Sequence, residues 1–258
     1  MGLAEEVELN SNELKKKLFL DKDKHGFIAW HLAALGGSLE ALESIRIFAK
    51  EMELNTDELL LAESGDGETA FHCAAHNNRV SILQKLWVWA KDAQLNSDVP
   101  KKKLFLAKDS FGYTAWHRAA LRGNLETLQT LWIWAKEVEL IPDELLLAQS
   151  LDGETAFHCA AEENLVETLK KLWVWAEELQ QNIKELKKKL LLGKEKYGYT
   201  AWQLAEGSGS LEALQILRGW SKEVELNTDE LLLAKTGKGF TAFELTAENN
   251  HVNKVQKL

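Results

Sequence analysis

The chain contains little cysteine, little proline and a deficit of positive charge. Two cysteines and two prolines occur among 258 residues, and 31 Lys and Arg stand against 40 Asp and Glu, which gives a net charge of −9. The acidic balance argues against nucleic-acid binding, because that function needs a basic surface that displaces counterions from phosphates. No apolar run reaches the roughly 18 residues that a membrane span requires. The first ten residues, MGLAEEVELN, also lack the basic and apolar regions of a secretory signal.

The two cysteines occupy the same place in two copies of one sequence. Cys73 and Cys159 both lie in the stretch GETAFHCAA. The same place in two copies indicates two small buried side chains rather than a disulfide, because thiols that lie two repeats apart are too distant to bond. Free thiols and the absence of a signal sequence favour a cytoplasmic or nuclear location.

Glycines reveal a long internal period. One set is spaced by 86 residues, and a second set repeats that spacing 41 positions later: Gly26, Gly112 and Gly198, then Gly67, Gly153 and Gly239. A fixed period of this size is typical of stacked supersecondary units rather than of one globular core. We therefore expect a single repeat array over residues 1–258, with six repeats anchored near these glycines. Residues 1–21 form a partial repeat in this interpretation, and the last repeat is truncated.

One repeat, residues 108–150, shows the order of its elements. Gly112 predicts a turn, and the alanine-rich stretch TAWHRAALRG after it predicts a short first helix. Asn124 is a suitable N-cap for a second helix, LETLQTLWIWAKEVEL, whose apolar residues recur at three and four positions. Pro142 then favours the start of a short third helix in PDELLLA. In alternate repeats this third segment is longer and carries a lysine triplet, for which we expect a solvated face or, alternatively, a basic edge for an acidic partner or membrane head groups.

The pattern Gly-x-Thr-Ala-Trp/Phe-His-x-Ala-Ala resembles the ankyrin repeat. It is complete in residues 67–75 and 112–120 and recurs at all six glycines. Two features depart from the family: alanine replaces the usual proline after threonine, and the repeats run to 41 or 45 residues instead of about 33. The resemblance implies an all-α, ankyrin-like α-solenoid of stacked repeats, each with a turn and two antiparallel helices, to which the extra length adds a short third helix. Gln203 and Glu206 break the pattern in the repeat at Gly198, where we expect looser packing.

Tryptophan is unusually abundant, with ten residues. Six of them form pairs spaced i, i+2 on the second helices: Trp87/Trp89, Trp132/Trp134 and Trp173/Trp175. Residues two apart point to different sides of a helix, so these helices are expected to be buried on two sides. We expect one ring of each pair to pack towards the first helix and the adjacent repeat, and the other to be covered by the leucines of DELLLA. The alternative, an exposed aromatic binding surface, fits the periodicity less well.

Four histidines follow the aromatic residue of the pattern: His31, His72, His117 and His158. The resemblance implies that they support the turns through hydrogen bonds. Two other repeats carry Gln203 and Glu244 in this slot, which disfavours a catalytic or metal-binding role. No histidine–cysteine cluster has ligand spacing, and no nucleophile elbow, phosphate loop or zinc-protease motif is present. We therefore predict no catalytic residue, metal or cofactor.

The resemblance also implies that partners bind the turn tips and the exposed face of the first helices. Matching positions at the tips are His25, Phe27, Asp66, Glu68, Phe111, Tyr113, Asp152, Glu154, Tyr197, Tyr199, Lys238 and Phe240. On the first helices they include His76, Arg122 and Glu162. Aromatic residues in such places are typical of interface hot spots. Phe111 and Tyr197 are expected to be exposed because they precede the tip glycine, whereas Phe27, Tyr113 and Tyr199 could instead pack against the neighbouring repeat.

These patterns predict a non-catalytic protein–protein interaction scaffold with a protein partner of unknown identity. Rigid repeats present a surface that is already ordered, which lowers the entropic cost of binding. The alternative is a structural or self-assembling array, in which uncapped ends associate head-to-tail.

Overall fold

The computed structural model describes residues 14–54, 56–92, 99–179, 182–241 and 244. All regular secondary structure in these ranges is helical. Most of the partial repeat expected at residues 1–21, and the helices expected after Gly239, lie outside the described residues. The contacts divide the chain into two units, residues 1–110 and 111–258.

In the first unit, residues 14–19 are helical and six further helices follow. They are α1 (Ala29–Gly36), α2 (Leu39–Glu51), α3 (Thr56–Leu60), α4 (Ala70–His76), α5 (Val80–Asp92) and α6 (Val99–Leu106). The second unit contains α7 (Ala115–Leu121), α8 (Leu125–Glu137), α9 (Pro142–Leu146), α10 (Ala156–Glu162), α11 (Val166–Glu177), α12 (Ile183–Leu192), α13 (Ala201–Gly207), α14 (Leu211–Glu223) and α15 (Thr228–Leu232). The predicted sequence of turn, first helix, second helix and short third helix is thus confirmed in these repeats.

Equivalent helices pack against each other in successive repeats. The first helix α10 lies between α7 and α13, and the second helix α11 contacts both α8 and α14. In the first unit α1 packs against α4 in the same way. Each unit is therefore an all-α stack of ankyrin-like repeats, the solenoid architecture that the 86-residue period predicts.

A buried histidine or its substitute begins each described first helix. Thr114 has an extended backbone before α7, and Nδ1 of His117 accepts from its backbone N–H at 3.3 Å. Because Nδ1 is the acceptor, Nε2 carries the proton and donates to the carbonyl oxygen of Ala148 at 2.9 Å, just before the next turn. The predicted hydrogen-bonding role of this histidine is confirmed. Gln203 makes the same two contacts, so the start of α13 is not loosened as the sequence suggested.

The tryptophans of the second helices are core residues. All six members of the i, i+2 pairs are at most 8% exposed. Within unit two, Trp132 stacks on Trp116 of its own repeat, and Trp175 reaches back from the next repeat to both rings. The pairs therefore bind two successive repeats together through aromatic contacts. The inserted helices add to this layer, since Phe105 of α6 meets Trp87 edge-on in the first unit.

Candidate protein-binding surface

Each described turn is shaped by a polar residue three positions before the tip glycine. At the tip of Gly198, the Glu195 carboxylate accepts from the backbone N–H groups of Tyr197 and Tyr199 at 2.9 and 2.8 Å. The backbone N–H of Glu195 also donates to the carbonyl oxygen of Tyr199 at 3.0 Å. Ser150 and Asp23 make equivalent bonds in their own turns. These bonds order the tips before any partner arrives.

Backbone hydrogen bonds join successive tips within each unit. In the second unit the carbonyl oxygens of Phe111, Asp152 and Tyr197 each accept from the next turn, at 2.9, 2.6 and 2.6 Å. In the first unit those of His25 and Asp66 do so at 2.9 and 2.8 Å. Each unit thus presents its tips as a connected row. This register requires glycine at the tip.

The predicted tip residues differ in exposure. Phe111 and Tyr197 are 54% and 56% exposed, which confirms the exposure expected from their place before the glycine. The other exposed tip side chains are His25, Asp66, Lys238 and Phe240. Those that are half-buried are Phe27, Glu68, Tyr113, Asp152, Glu154 and Tyr199. On the first helices Arg122 is exposed, whereas His76 and Glu162 are half-buried.

The structure brings several of these side chains into contact in the second unit. The Tyr113 hydroxyl donates to the Glu154 carboxylate of the following repeat. Burial, reinforced by this bond, raises the pKa of the Tyr113 phenol, so it stays protonated. Burial also raises the pKa of Glu162, and the negative charge of Glu154 adds to the effect. Tyr113, Glu154 and Glu162 therefore lie near one another in the second unit.

Two cations on this surface were not predicted. The Arg118 guanidinium lies 5.8 Å from the Phe111 ring centroid and 5.3 Å from that of Tyr113. Lys196 pairs with Asp152 at 2.8 Å and lies 5.5 Å from the Tyr197 ring centroid. Arg118 fills the variable position of the His-x-Ala-Ala motif, where other repeats have leucine or cysteine. An arginine at this position, in a helix next to the aromatic tips, was the sequence feature from which a cation on this surface could have been predicted.

The two cysteines lie in the interiors of their repeats. Cys73 and Cys159 are buried free thiols, and burial raises the pKa of Cys159, which keeps it an unreactive thiol. Among the described residues no group of three metal-ligating side chains occurs. No helix in those ranges combines the length and apolar character needed to cross a bilayer.

Comparisons with known proteins agree with this geometry. Residues 30–140 match the family model described as ankyrin repeats (3 copies). Among solved structures, a chain from the structure described as the Bd0816 predatory endopeptidase from Bdellovibrio bacteriovorus in complex with immunity protein Bd3460 superposes with a TM-score of 0.58 at 18% identity. The likeness covers 92% of this chain and 97% of that one, and it concerns the fold alone. No curated protein matches the sequence significantly. The family match therefore supports ankyrin repeats in residues 30–140 of the chain.

Proposed function

We propose that this chain is a non-catalytic scaffold that binds a protein partner through its turn tips and the adjoining face of its first helices. The partner surface extends over the predicted tip positions and over His76, Arg122 and Glu162. The observation that carries the proposal is the pair of exposed aromatic rings, Phe111 and Tyr197, on turns whose backbones are already ordered by hydrogen bonds.

Physical reasons favour these tips as the binding element. An exposed aromatic side chain gains much apolar contact on binding and loses few rotatable bonds, which is why aromatics dominate hot spots. Asp152 and Lys196 add charges of both signs between the rings. Charges at the rim of an interface select the partner and its orientation more than they add affinity.

The test compares protein capture by three versions of the chain. The double variant Phe111→Ala/Tyr197→Ala removes the two exposed tip rings. The matched control, Ile133→Ala/Val174→Ala, removes two apolar side chains that are 52% and 44% exposed on the second helices. Captured proteins are quantified by mass spectrometry, and a candidate is then purified and titrated directly.

We expect the tip variant to lose a specific partner that the wild type and the control retain, with affinity for the purified partner reduced at least tenfold, about 1.4 kcal/mol. The proposal is wrong if the tip variant retains every partner, or if the control loses the same partner to the same extent. Circular dichroism of all three proteins checks that the helices are intact.

A further inference from the structure

A small pocket lies in the first unit between the second helices α2 and α5. It has a volume of about 190 Å³. Six residues line it: Glu43, Arg46, Ile47, Lys50, Lys85 and Trp89. We call it the Arg46 pocket. Its size suits one side chain or a small ion, because sites for cofactors and drug-sized ligands are larger, at roughly 300–1,000 Å³.

The repeat pattern is broken at Arg46. The equivalent positions in the three following repeats hold Trp87, Trp132 and Trp173. In the second unit Trp132 stacks on Trp175 with ring centroids 4.9 Å apart and planes at 14°. The counterpart of Trp175 in the first unit is Trp89, and the Arg46 guanidinium covers it at 4.4 Å from the ring centroid. The Arg46 pocket therefore lies at a junction where a charged planar group has replaced a stacked indole.

Cations outnumber acids in the lining of the pocket. Arg46, Lys50 and Lys85 are cationic, and Glu43 is the one acid among the six lining residues. Glu43 pairs with Lys85 at 2.5 Å, and the Lys85 ammonium also lies 5.6 Å from the Trp89 ring centroid. Since Glu43 and Lys85 neutralise each other, Arg46 and Lys50 leave the lining positive in a chain whose net charge is −9.

The Arg46 guanidinium has hydrogen-bond donors to offer. Its Nε is buried and lacks a hydrogen-bond partner, although buried N–H groups are nearly always paired. Asp92 is near enough to act on the charge of Arg46 but does not accept from this nitrogen. Among the described residues no carboxylate forms an ion pair with Arg46. The guanidinium is therefore held by its contact with Trp89, and a turn on that ring brings its donors to an acceptor in the pocket.

We propose that the Arg46 pocket binds the carboxylate side chain of a glutamate or aspartate from an acidic segment of a protein partner. The guanidinium of Arg46 donates to the carboxylate, because its planar fork matches the two oxygens of that group. Lys50 supplies a second positive charge. The Glu43–Lys85 pair forms one wall, and Ile47 and Trp89 contact the methylene groups of the bound side chain.

The lining favours a carboxylate side chain over a free phosphate. Trp89, which is 3% exposed, and Ile47 give the pocket apolar walls that suit methylene groups. A phosphate carries more negative charge than a carboxylate, so its dehydration and its repulsion from Glu43 both cost more. None of the lining residues belongs to the tip or first-helix positions, so this site goes beyond the function proposed above and its test is independent of it.

The test uses the full chain and the probe peptide acetyl-Ala-Ala-Glu-Ala-Ala-amide at constant ionic strength. The same peptide with glutamine in place of glutamate is the ligand control, and sodium phosphate is titrated separately. The chain has five arginines, so ¹⁵N NMR resolves their Nε–H signals, and the signal that Arg46→Lys removes belongs to Arg46. Binding to the variants is followed through the backbone amide signals of residues 43–50.

Four variants of the chain separate the parts of the site. Arg46→Lys keeps the charge and removes the fork, and Arg46→Trp places an indole there, as at Trp132. Lys50→Ala removes the second cation. The matched control is Lys91→Ala, which removes a lysine from α5 that does not line the pocket.

We expect the glutamate peptide to shift the Arg46 Nε–H signal in a saturable way, with a Kd of about 1–10 mM, and the glutamine peptide to bind at least fivefold more weakly. Arg46→Lys and Lys50→Ala each weaken binding at least threefold, Arg46→Trp abolishes it, and Lys91→Ala binds as the wild type does.

Three results overturn the proposal. The first is the absence of a saturable shift up to about 50 mM glutamate peptide, and the second is equal binding of the two peptides. The third is unchanged binding by Arg46→Lys and Arg46→Trp, because the guanidinium would then not be the ligand. Tighter binding of phosphate than of the glutamate peptide also contradicts it, since the pocket would then be a site for a free anion.

Discussion

The side-chain amide of Gln203 donates to the carbonyl oxygen of Ala234 at 2.7 Å, in the place where four other repeats use a histidine. Its Oε1 accepts from the Thr200 backbone N–H at 3.0 Å, as Nδ1 does in those histidines. Glutamine and neutral histidine both offer one acceptor and one donor at this separation. This position therefore requires a side chain that forms hydrogen bonds to two successive repeats, and an imidazole is not needed for that role.

This equivalence predicts unequal effects of two substitutions at His158. His158→Gln keeps both bridges and is expected to lower the free energy of unfolding by less than about 1 kcal/mol, whereas His158→Ala leaves the Gly193 carbonyl and the Thr155 N–H unpaired and costs about 2–4 kcal/mol. Urea denaturation of the two variants measures the difference. Equal losses would show that imidazole packing, rather than bridging, matters at this position.

The same histidines make stability depend on pH. Burial lowers the pKa of His31 and His158 below the ordinary value of about 6.5. Both are neutral above pH 6.5 in the folded and unfolded chain, so their contribution is complete there. As the pH falls below about 6.5 the unfolded chain binds protons first, and stability decreases by up to about 1.4 kcal/mol per pH unit for each histidine.

Thermal denaturation between pH 7.5 and 5 measures this slope. His158→Gln is the control, because glutamine does not titrate and the variant should lose stability less steeply on acidification. A wild-type stability that is constant over this range, or a variant slope equal to that of the wild type, would contradict the assignment.

Replacement by alanine is expected to lower the free energy of unfolding at one glycine and to raise it at another. Gly112 has a φ of +76°, and a Cβ there would lie 2.4 Å from the backbone nitrogen of Leu151, which donates to Phe111. Gly112→Ala should therefore cost about 2–4 kcal/mol. Gly219 lies inside α14 with nothing within 4 Å of its Cβ position, so Gly219→Ala should stabilise by about 0.5–1 kcal/mol. Chemical denaturation of both variants checks the sign, and a tolerated Gly112→Ala would mean that the tips are not in tight register.

The sequence predicted the repeat, its helices and the hydrogen-bonding role of the histidines, because each follows from local spacing or from the motif. It also predicted that both members of each tryptophan pair are buried. It did not predict that Trp175 reaches back to Trp116 and Trp132, since periodicity gives the side of a helix and not which neighbour lies there. The burial of Lys187 was missed for the same reason. A lysine run indicates a solvated face, yet Lys187 is 4% exposed and its ammonium bridges Glu177 and Glu223.

Arg46 was likewise not recognised as the occupant of a tryptophan slot, and it provides the last prediction. Its guanidinium lies over the Trp89 ring. Burial lowers the pKa of Arg46, and the negative charge of Asp92 offsets part of that effect. Arg46→Trp replaces a partly desolvated charge by an indole in the slot that Trp132 and Trp173 fill in other repeats. We expect a gain of about 0.5–1.5 kcal/mol, the size of an aromatic pair beyond its area burial.

The reverse substitution, arginine in place of tryptophan, tests the equivalent position in another repeat. Trp132→Arg places a charge at a position that is 2% exposed and removes the ring contacts with Trp116 and Trp175, so it should cost more than about 2 kcal/mol. Urea denaturation of the two single variants gives both values. If Arg46→Trp destabilises the chain, the charge of Asp92 requires a cation at this junction, and the slots are not interchangeable. If it stabilises, the stacked pair is the common element of these junctions and arginine is a weaker occupant of the same place.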